Sequence, residues 1–307
     1  MAAHRINDLI AHLPPVRGTL EADVPLAPFT WLRVGGPADY LFRPADVDDL
    51  AAFLAFLPSD IPVTVIGVGS NLLIRDGGIE GVVIRLGSAF GRIHKMDAVT
   101  LRAGASALDT QVAQLARQSG IAGLEFLRGV PGSIGGAVAM NAGAYGAQIA
   151  DCLSLVEVVM RDGTIMRLSR DQLIMNYRDG GLPDGAIVTA VELSGYADEP
   201  ALIGARMDDI QARRELTQPI RSKTGGSTFR NPPHEKAWEL IDRAGCRGLA
   251  IGEAQISELH CNFLINHGAA RAQDLENLGE EVRRRVFDSS GIMLEWEIKR
   301  LGRGGVQ

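Results

Sequence analysis

The sequence predicts an α+β protein, and three observations carry that expectation. Short apolar strands alternate with amphipathic helices, an Asp-Gly pair separates two strand-like runs, and the chain changes texture near residue 205. The opening 28 residues read as a short helix and an irregular lead-in, broken by Pro14, Pro15, Pro25 and Pro28. Residues 38–43 are the first strand candidate. Residues 46–57 follow as a helix, with Val47, Leu50, Leu54 and Leu57 on one face at spacings of three and four. Residues 62–66 and 82–86 are buried-strand runs, which completes a β-α-β order. Residues 99–103 alternate apolar and polar, as a half-buried strand does. Leu108, Val112 and Leu115 then mark a second helix. Asp162-Gly163 joins strand candidates 153–160 and 164–168 as a tight hairpin. Residues 186–193 add a strand. Residues 200–217 form a charged helix that connects two domains. Beyond it, 235–244 and 273–287 are expected to be helical, the latter with Leu275, Leu278, Val282 and Val286 inward. Residues 262–266 are extended, and 292–301 make a last strand.

The chain has 307 residues and is 46% hydrophobic, enough for packed cores. Its 36 glycines are about 12% of the chain, against a typical ~7%. Such an excess points to tight turns or to backbone lying directly against a ligand. The net charge is −6. A nucleic acid or an anionic membrane therefore has little to attract it. Three scattered cysteines, Cys152, Cys246 and Cys261, make neither a disulfide framework nor a thiolate metal site, and are simplest as core residues. The six histidines show no metal spacing; His234-Glu235 lacks a second histidine four residues after the first. His260 and His267 are expected to satisfy buried polar groups. The run 129–150 is uncharged, but glycines and Pro131 break it too often for a membrane span.

Five segments could carry chemistry. Gly67-Val68-Gly69-Ser70-Asn71-Leu72-Leu73 follows a strand. A dinucleotide fingerprint needs glycine where Leu72 stands, so that reading fails. What remains is an ordinary glycine turn or a set of N–H groups turned to an anion. Gly129-Val130-Pro131-Gly132-Ser133-Ile134-Gly135-Gly136 opens a run of small residues on which a planar or phosphorylated ligand could lie; close helix packing explains it equally well. Lys223 to Pro232 combines a hydroxyl, two cations and an amide after a glycine turn, without the elbow of a hydrolase nucleophile. Glu295 and Glu297 would share one face of the last strand, solvated or aimed into a site. Asn176-Tyr177-Arg178-Asp179 offers a guanidinium that could clamp a carboxylate or pair at the surface.

Taken in order, these motifs closely resemble the UDP-N-acetylenolpyruvoylglucosamine reductase family. Thr30-Trp31-Leu32-Arg33-Val34-Gly35-Gly36-Pro37-Ala38 precedes them, and Gly252-Glu253-Ala254-Gln255-Ile256-Ser257 lies between the last two; the match runs over roughly residues 28–302. The first three motifs are shared with the wider FAD-binding fold of the vanillyl-alcohol oxidase type. The resemblance implies a two-subdomain FAD-binding fold with a C-terminal α+β substrate domain. Its expected bounds are a lead-in over 1–28, an FAD-binding domain over 29–205 split near 90, and a substrate domain over 206–307.

The resemblance also implies non-covalent FAD, NADPH as co-substrate, and reduction of UDP-N-acetylglucosamine enolpyruvate to UDP-N-acetylmuramate, a peptidoglycan precursor. Gly67, Gly69, Ser70, Asn71 and Leu72 would hold the FAD pyrophosphate, with Arg33 beside them. Gly132, Ser133, Gly136 and Asn141 would contact the flavin side. Ser227 matches the proton donor. Arg178 and Glu297 match the pair that acts on the enolpyruvyl carboxylate, and Tyr177, Asn231 and Gln255 would bind substrate. The expected partner is the small UDP-sugar alone, with no metal, nucleic acid or membrane, for a cytoplasmic monomer. The length suits the shorter family class, without an added tyrosine-bearing loop, and the run Lys223-Thr224-Gly225 departs from many members. A rival is an FAD-dependent oxidase of the wider fold acting on another alcohol or acid; a second is a flavin carrier without catalysis.

Overall fold

The computed structural model describes residues 16–305. In chain order the first elements are β1 (Thr19–Pro25), β2 (Pro37–Arg43), α1 (Val47–Phe56), β3 (Val63–Ile66), β4 (Leu72–Ile74) and β5 (Ile79–Arg85). Next come β6 (Ile93–Lys95), β7 (Thr100–Gly104), α2 (Asp109–Gln118), β8 (Ile121–Ala122), α3 (Ile134–Ala139), β9 (Gly143–Ala144) and β10 (Ala147–Gln148). Then follow β11 (Leu153–Val159), β12 (Ile165–Ser169), β13 (Ile187–Ser194), β14 (Tyr196–Ala197) and α4 (Pro200–Thr217). The last are β15 (Lys223–Ser227), α5 (Ala237–Arg243), β16 (Ala250–Ile251), β17 (Ala254–Ile256), β18 (Phe263–Asn266), α6 (Ala272–Ser290) and β19 (Lys299–Leu301).

The chain forms two compact units. The first comprises residues up to Ala22, Tyr40–Gly67 and Gly81–Arg213; the second comprises Asp23–Asp39, Val68–Glu80 and everything from Arg214 on. The division is thus not the single cut near 205 that the sequence suggests. Its reason is long-range pairing that no local pattern reveals. β4 runs parallel to β19, with Leu72 opposite Lys299 and Ile74 opposite Leu301. Leu32, Val34 and Leu73 are buried in the same apolar cluster as Leu275, Leu278, Val282 and Val286.

In the first unit, one sheet has the order β1-β2-β5-β3, with β3 parallel to β5. Its strands pack with α1 through Phe42, Leu50, Phe53 and Leu54. Asp46 caps α1 by accepting the Asp49 N–H at 3.0 Å. Buried Asp49 in turn accepts three backbone N–H groups, from Arg17, Gly18 and Ala45, each at 2.9 Å. The other sheet has the order β12-β11-β13-β7-β6. The Asp162-Gly163 turn joins β11 to β12, and Gly163 holds φ +84° there. Α separate core of Leu101, Val112, Ile134, Val156, Val191 and their neighbours lies against this sheet. Leu108 is not part of it: it stands 37% exposed just before α2, and Ala113 and Ala116 take the inward positions with Val112.

The second unit contains the β4–β19 pair and a sheet of order β15-β18-β17-β16. α6 closes its core with the four side chains expected from the sequence, all fully buried. Asp76, just after β4, accepts the Ala272 and Gln273 N–H groups at 3.0 Å each, capping α6 from far away in sequence.

Two further expectations change. Residues 19–25 are a strand rather than irregular lead-in; the short helix expected before them lies outside the described residues. The last strand is only 299–301, and 292–298 is irregular apart from a Phe229–Trp296 bridge. Glu295 and Glu297 therefore do not share a strand face. The side chain of Glu295 is 76% exposed, whereas Glu297 is half-buried.

Candidate active site

In the first unit, α3 follows directly on Ser133, and its start is already tied into the fold. The Ile134 N–H donates to the Ala107 carbonyl at 2.9 Å and the Gly135 N–H to the Ala105 carbonyl at 2.8 Å. These two N–H groups are thus engaged by protein, and an anion would have to use others. The Gly132 carbonyl accepts from Asp109 N–H at 3.2 Å. Gly67 and Gly136 are exposed. A side chain at 67 would begin 2.7 Å from the Ser133 hydroxyl, so glycine there leaves that oxygen uncrowded. At 136 the nearest atom to an added Cβ is that same oxygen, 4.0 Å away.

Asn141 is buried at φ +41°, and its amide serves the fold. Its Nδ2 donates to Gln148 Oε1 at 3.1 Å and to the Asn176 carbonyl at 2.9 Å; its Oδ1 accepts the Ala150 N–H at 2.9 Å. This places the turn that carries Arg178. Asn176 and Asp179 exchange backbone bonds across the turn, Arg178 adopts φ +60°, and the Gly180 N–H reaches the Ala139 carbonyl. The Arg178 guanidinium lies 4.8 Å from the centre of the Tyr177 ring, which is itself half exposed.

In the second unit, Gly69 holds φ +69° where an added Cβ would fall 2.2 Å from the Phe29 carbonyl oxygen. Its own carbonyl accepts the Trp31 N–H at 3.1 Å. Arg33, at φ +58°, donates through Nη1 to the Pro28 carbonyl at 2.6 Å. Asn71 Nδ2 donates to the Glu297 carbonyl at 3.2 Å, and the Asn71 carbonyl accepts from Lys299 N–H at 3.0 Å. Ser70 lies near the glycine turn before Ser227: an added Cβ on Gly226 would be 4.0 Å from the Ser70 carbonyl.

Ser227 ends β15 after an irregularity in register between Thr224–Ile265 and Ser227–Phe263. Gly226, at φ +77°, makes that irregularity possible. Gly225 faces Ile298 and Leu32, where an added Cβ would lie 3.0 Å and 3.3 Å from their Cδ1 atoms. The next residue, Thr228, is fully buried and accepts the Glu297 N–H at 2.8 Å. The second unit therefore brings Ser227, Glu297 and Asn71 into one backbone network. Asn231 accepts the Ala237 N–H at 3.0 Å and so caps α5. Gln255 pairs with His267 Nε2 and donates to the Gly248 carbonyl. His260 Nδ1 accepts the Asn262 N–H at 3.3 Å, the buried polar service expected of it. All three cysteines are buried, and burial pushes the Cys152 thiol up to about 12.

Two family models match this chain: an FAD binding domain over residues 38–169, and a UDP-N-acetylenolpyruvoylglucosamine reductase C-terminal domain over 218–301. A UDP-N-acetylenolpyruvoylglucosamine reductase from Acidiphilium cryptum is 57% identical over 98% of this chain and 97% of its own length. One from Parvibaculum lavamentivorans is 55% identical over 99% of both chains. The chain belongs to the UDP-N-acetylenolpyruvoylglucosamine reductase family. A crystal structure of the reductase (MurB) from Thermus caldophilus aligns with a TM-score of 0.80 at 37% identity, covering 94% of this chain and 100% of that one.

As a reductase of this family the chain is an FAD-binding oxidoreductase of α+β fold. Among the described residues, no helix is long and apolar enough to cross a membrane. Sequence reasoning passed over Asp76, Asp109 and Trp296. Asp76 matters through partners 196 and 197 residues away, and Trp296 through one 16 residues away, that no local motif marks. Asp109 stood in a helical pattern where an acid reads as first-turn polar, yet it is fully buried.

Proposed function

We propose that Ser227, Arg178 and Glu297 carry the family's reaction in this chain: NADPH-dependent reduction of UDP-N-acetylglucosamine enolpyruvate to UDP-N-acetylmuramate. The single observation that supports this best is the backbone bond from Glu297 N–H to the Thr228 carbonyl, which holds Glu297 against the residue that follows the proposed proton donor Ser227. The chemistry that FAD would supply here is relay of a hydride between NADPH and the terminal alkene carbon of the substrate. The exposed Gly67 and Gly136 beside the Ser133 hydroxyl fit such a group, since a side chain at 67 would collide with that serine. Gly67, Gly69, Ser70, Asn71 and Leu72 would hold its pyrophosphate, with Arg33 alongside, and Gly132, Ser133 and Gly136 its ring.

Hydride addition drives electrons through the double bond onto the carboxylate, and that charge is the barrier. Arg178 stays cationic at every working pH and pairs with the developing oxygens. Glu297 helps there as a neutral acid or through a held water. Ser227 gives its proton to the adjacent carbon once that carbon has become a strong base. Tyr177, Asn231 and Gln255 would contact substrate. For the last two, the helix cap and the His267 pair mean that part of each amide is already engaged, leaving Asn231 Nδ2 to the ligand. The protein works as a monomer in the cytoplasm on this reading.

The test is anaerobic. NADPH should bleach the yellow protein, and colour should return only with the enolpyruvyl sugar nucleotide. Ser227→Ala should keep the bleaching and lose the return; survival of both half-reactions would remove Ser227 from the role. Rapid return of colour in air alone would favour an oxidase instead.

A further inference from the structure

We infer that Trp296 is a positioning residue for this reaction, seated in a notch left by Gly279 and holding Glu297 against the Ser227 strand; the inference rests on the role proposed for Glu297. The segment 294–298 is irregular, yet it is tethered along its length up to the start of β19. The Leu294 carbonyl accepts from Arg283 Nε at 2.8 Å, and the Glu295 carbonyl from the Arg230 N–H at 2.8 Å. Glu297 donates to Thr228, and Lys299 to Asn71. Leu294 and Ile298 are buried at either end. Between them the indole of Trp296 turns back onto α6.

Four contacts fix that indole. An added Cβ on Gly279 would fall 2.1 Å from its Cη2 and 2.3 Å from its Cζ2, so only glycine admits the ring. Its Nε1–H donates to Glu280 Oε1 at 2.9 Å. The Arg300 guanidinium lies 4.5 Å from its ring centre and donates to the same Glu280 oxygen at 2.8 Å. Its ring meets that of Phe229, two residues after Ser227, at 5.1 Å. The indole therefore keys the run 295–297 to the run 227–229 on one side and to α6 on the other. A residue that only covered the core would need neither the charged pair nor the glycine. A shift of about 1 Å in a reacting group costs on the order of a hundredfold in rate.

The experiment uses the flavin-loaded enzyme in anaerobic stopped flow, with NADPH and then the enolpyruvyl sugar nucleotide, on Trp296→Leu, Gly279→Ala and Glu297→Gln. For the first two we expect reoxidation by substrate to slow about tenfold or more. Bleaching by NADPH should stay within about twofold, and substrate Kd, read from the oxidised flavin spectrum, within about threefold. Loss of both half-reactions together, or of bound flavin, would make Trp296 merely structural and overturn the inference. So would normal reoxidation in Trp296→Leu while Glu297→Gln loses it. Normal reoxidation in Glu297→Gln instead removes the role proposed for Glu297, and the inference falls with it for that separate reason. If Trp296→Leu does not fold, Trp296→Phe removes only the bond to Glu280 and the outer ring, and carries the same test.

Discussion

The peptide N–H of Glu297 donates to the carbonyl oxygen of Thr228 at 2.8 Å. The bond is made by backbone alone, so side chains at 227 and 297 can be exchanged without breaking it. Ser227→Ala and Glu297→Gln are therefore expected to melt within about 0.5 kcal/mol of the parent, as half-exposed substitutions do. Reoxidation by substrate should fall by roughly 10²–10⁴ in Ser227→Ala, the range for a lost acid. Thermal melts and half-reaction kinetics on the same samples decide this.

Two glycines of one motif should behave differently. Gly67→Ala places a methyl group 2.7 Å from the Ser133 hydroxyl at an exposed position, so it should loosen flavin while the protein still folds. Gly69→Ala forces a Cβ to 2.2 Å from a carbonyl at φ +69°, so it should fail to fold. Flavin retained after desalting and soluble yield separate the two.

Asn141→Ala removes three hydrogen bonds in a buried place. It should cost about 2–4 kcal/mol, because partners are left unsatisfied. It should also slow reoxidation, since one of those bonds holds the turn of Arg178. Urea unfolding midpoints measure the first effect. If stability is unchanged, the amide serves ligand rather than fold.

Asp109 is fully buried, neither of its carboxylate oxygens has a hydrogen-bond partner, and burial holds its carboxyl well above the ordinary range. The folded protein keeps this proton to higher pH than the unfolded chain, where aspartate titrates near ~3.9. Stability from this group is thus full below that pH and is lost as pH rises towards the folded value. Asp109→Asn should flatten the fall in melting temperature across this window and melt higher at neutral pH. A melt series in pH reads it, and an unchanged slope counts against a buried neutral acid.

Glu276 has the opposite sign. Its hydrogen bond from Arg75 lowers its carboxyl below the usual glutamate range, with Arg300 adding to the effect. The contribution is present above about pH 4.3 and lost as pH falls through the lowered folded value. Glu276→Gln should lose about 2 kcal/mol at neutral pH and match the parent in strong acid. Guanidinium unfolding at both pH values provides the check.

Much of this was legible in the residues. The periodicity of Leu275, Leu278, Val282 and Val286 marks a buried helix face, and all four are fully buried. Asp162-Gly163 marks a hairpin because Gly163 alone takes its φ freely. The order of the glycine motifs gave the family. What local patterns miss is pairing at a distance. Leu72 to Ile74 looks like the end of a glycine loop until its neighbour at 299–301 is known. Glu295 and Glu297 look like strand alternation because Trp296 between them reads as an ordinary β residue. Its bond to Glu280 breaks that pattern, and Glu280 is exposed helix until the fold is known.

The pairing of β4 with β19 bears on synthesis. Residue 74 leaves the ribosome long before residue 301, its register partner, has been made. Asp76, the cap of α6, likewise waits for a helix not yet translated. The second unit cannot assemble until residue 301 has emerged, and a gene fragment that starts at Arg214 encodes a bare strand edge and a helix without its Asp76 cap. Nascent-chain proteolysis should find the early segment cleavable until residues 299–301 have emerged.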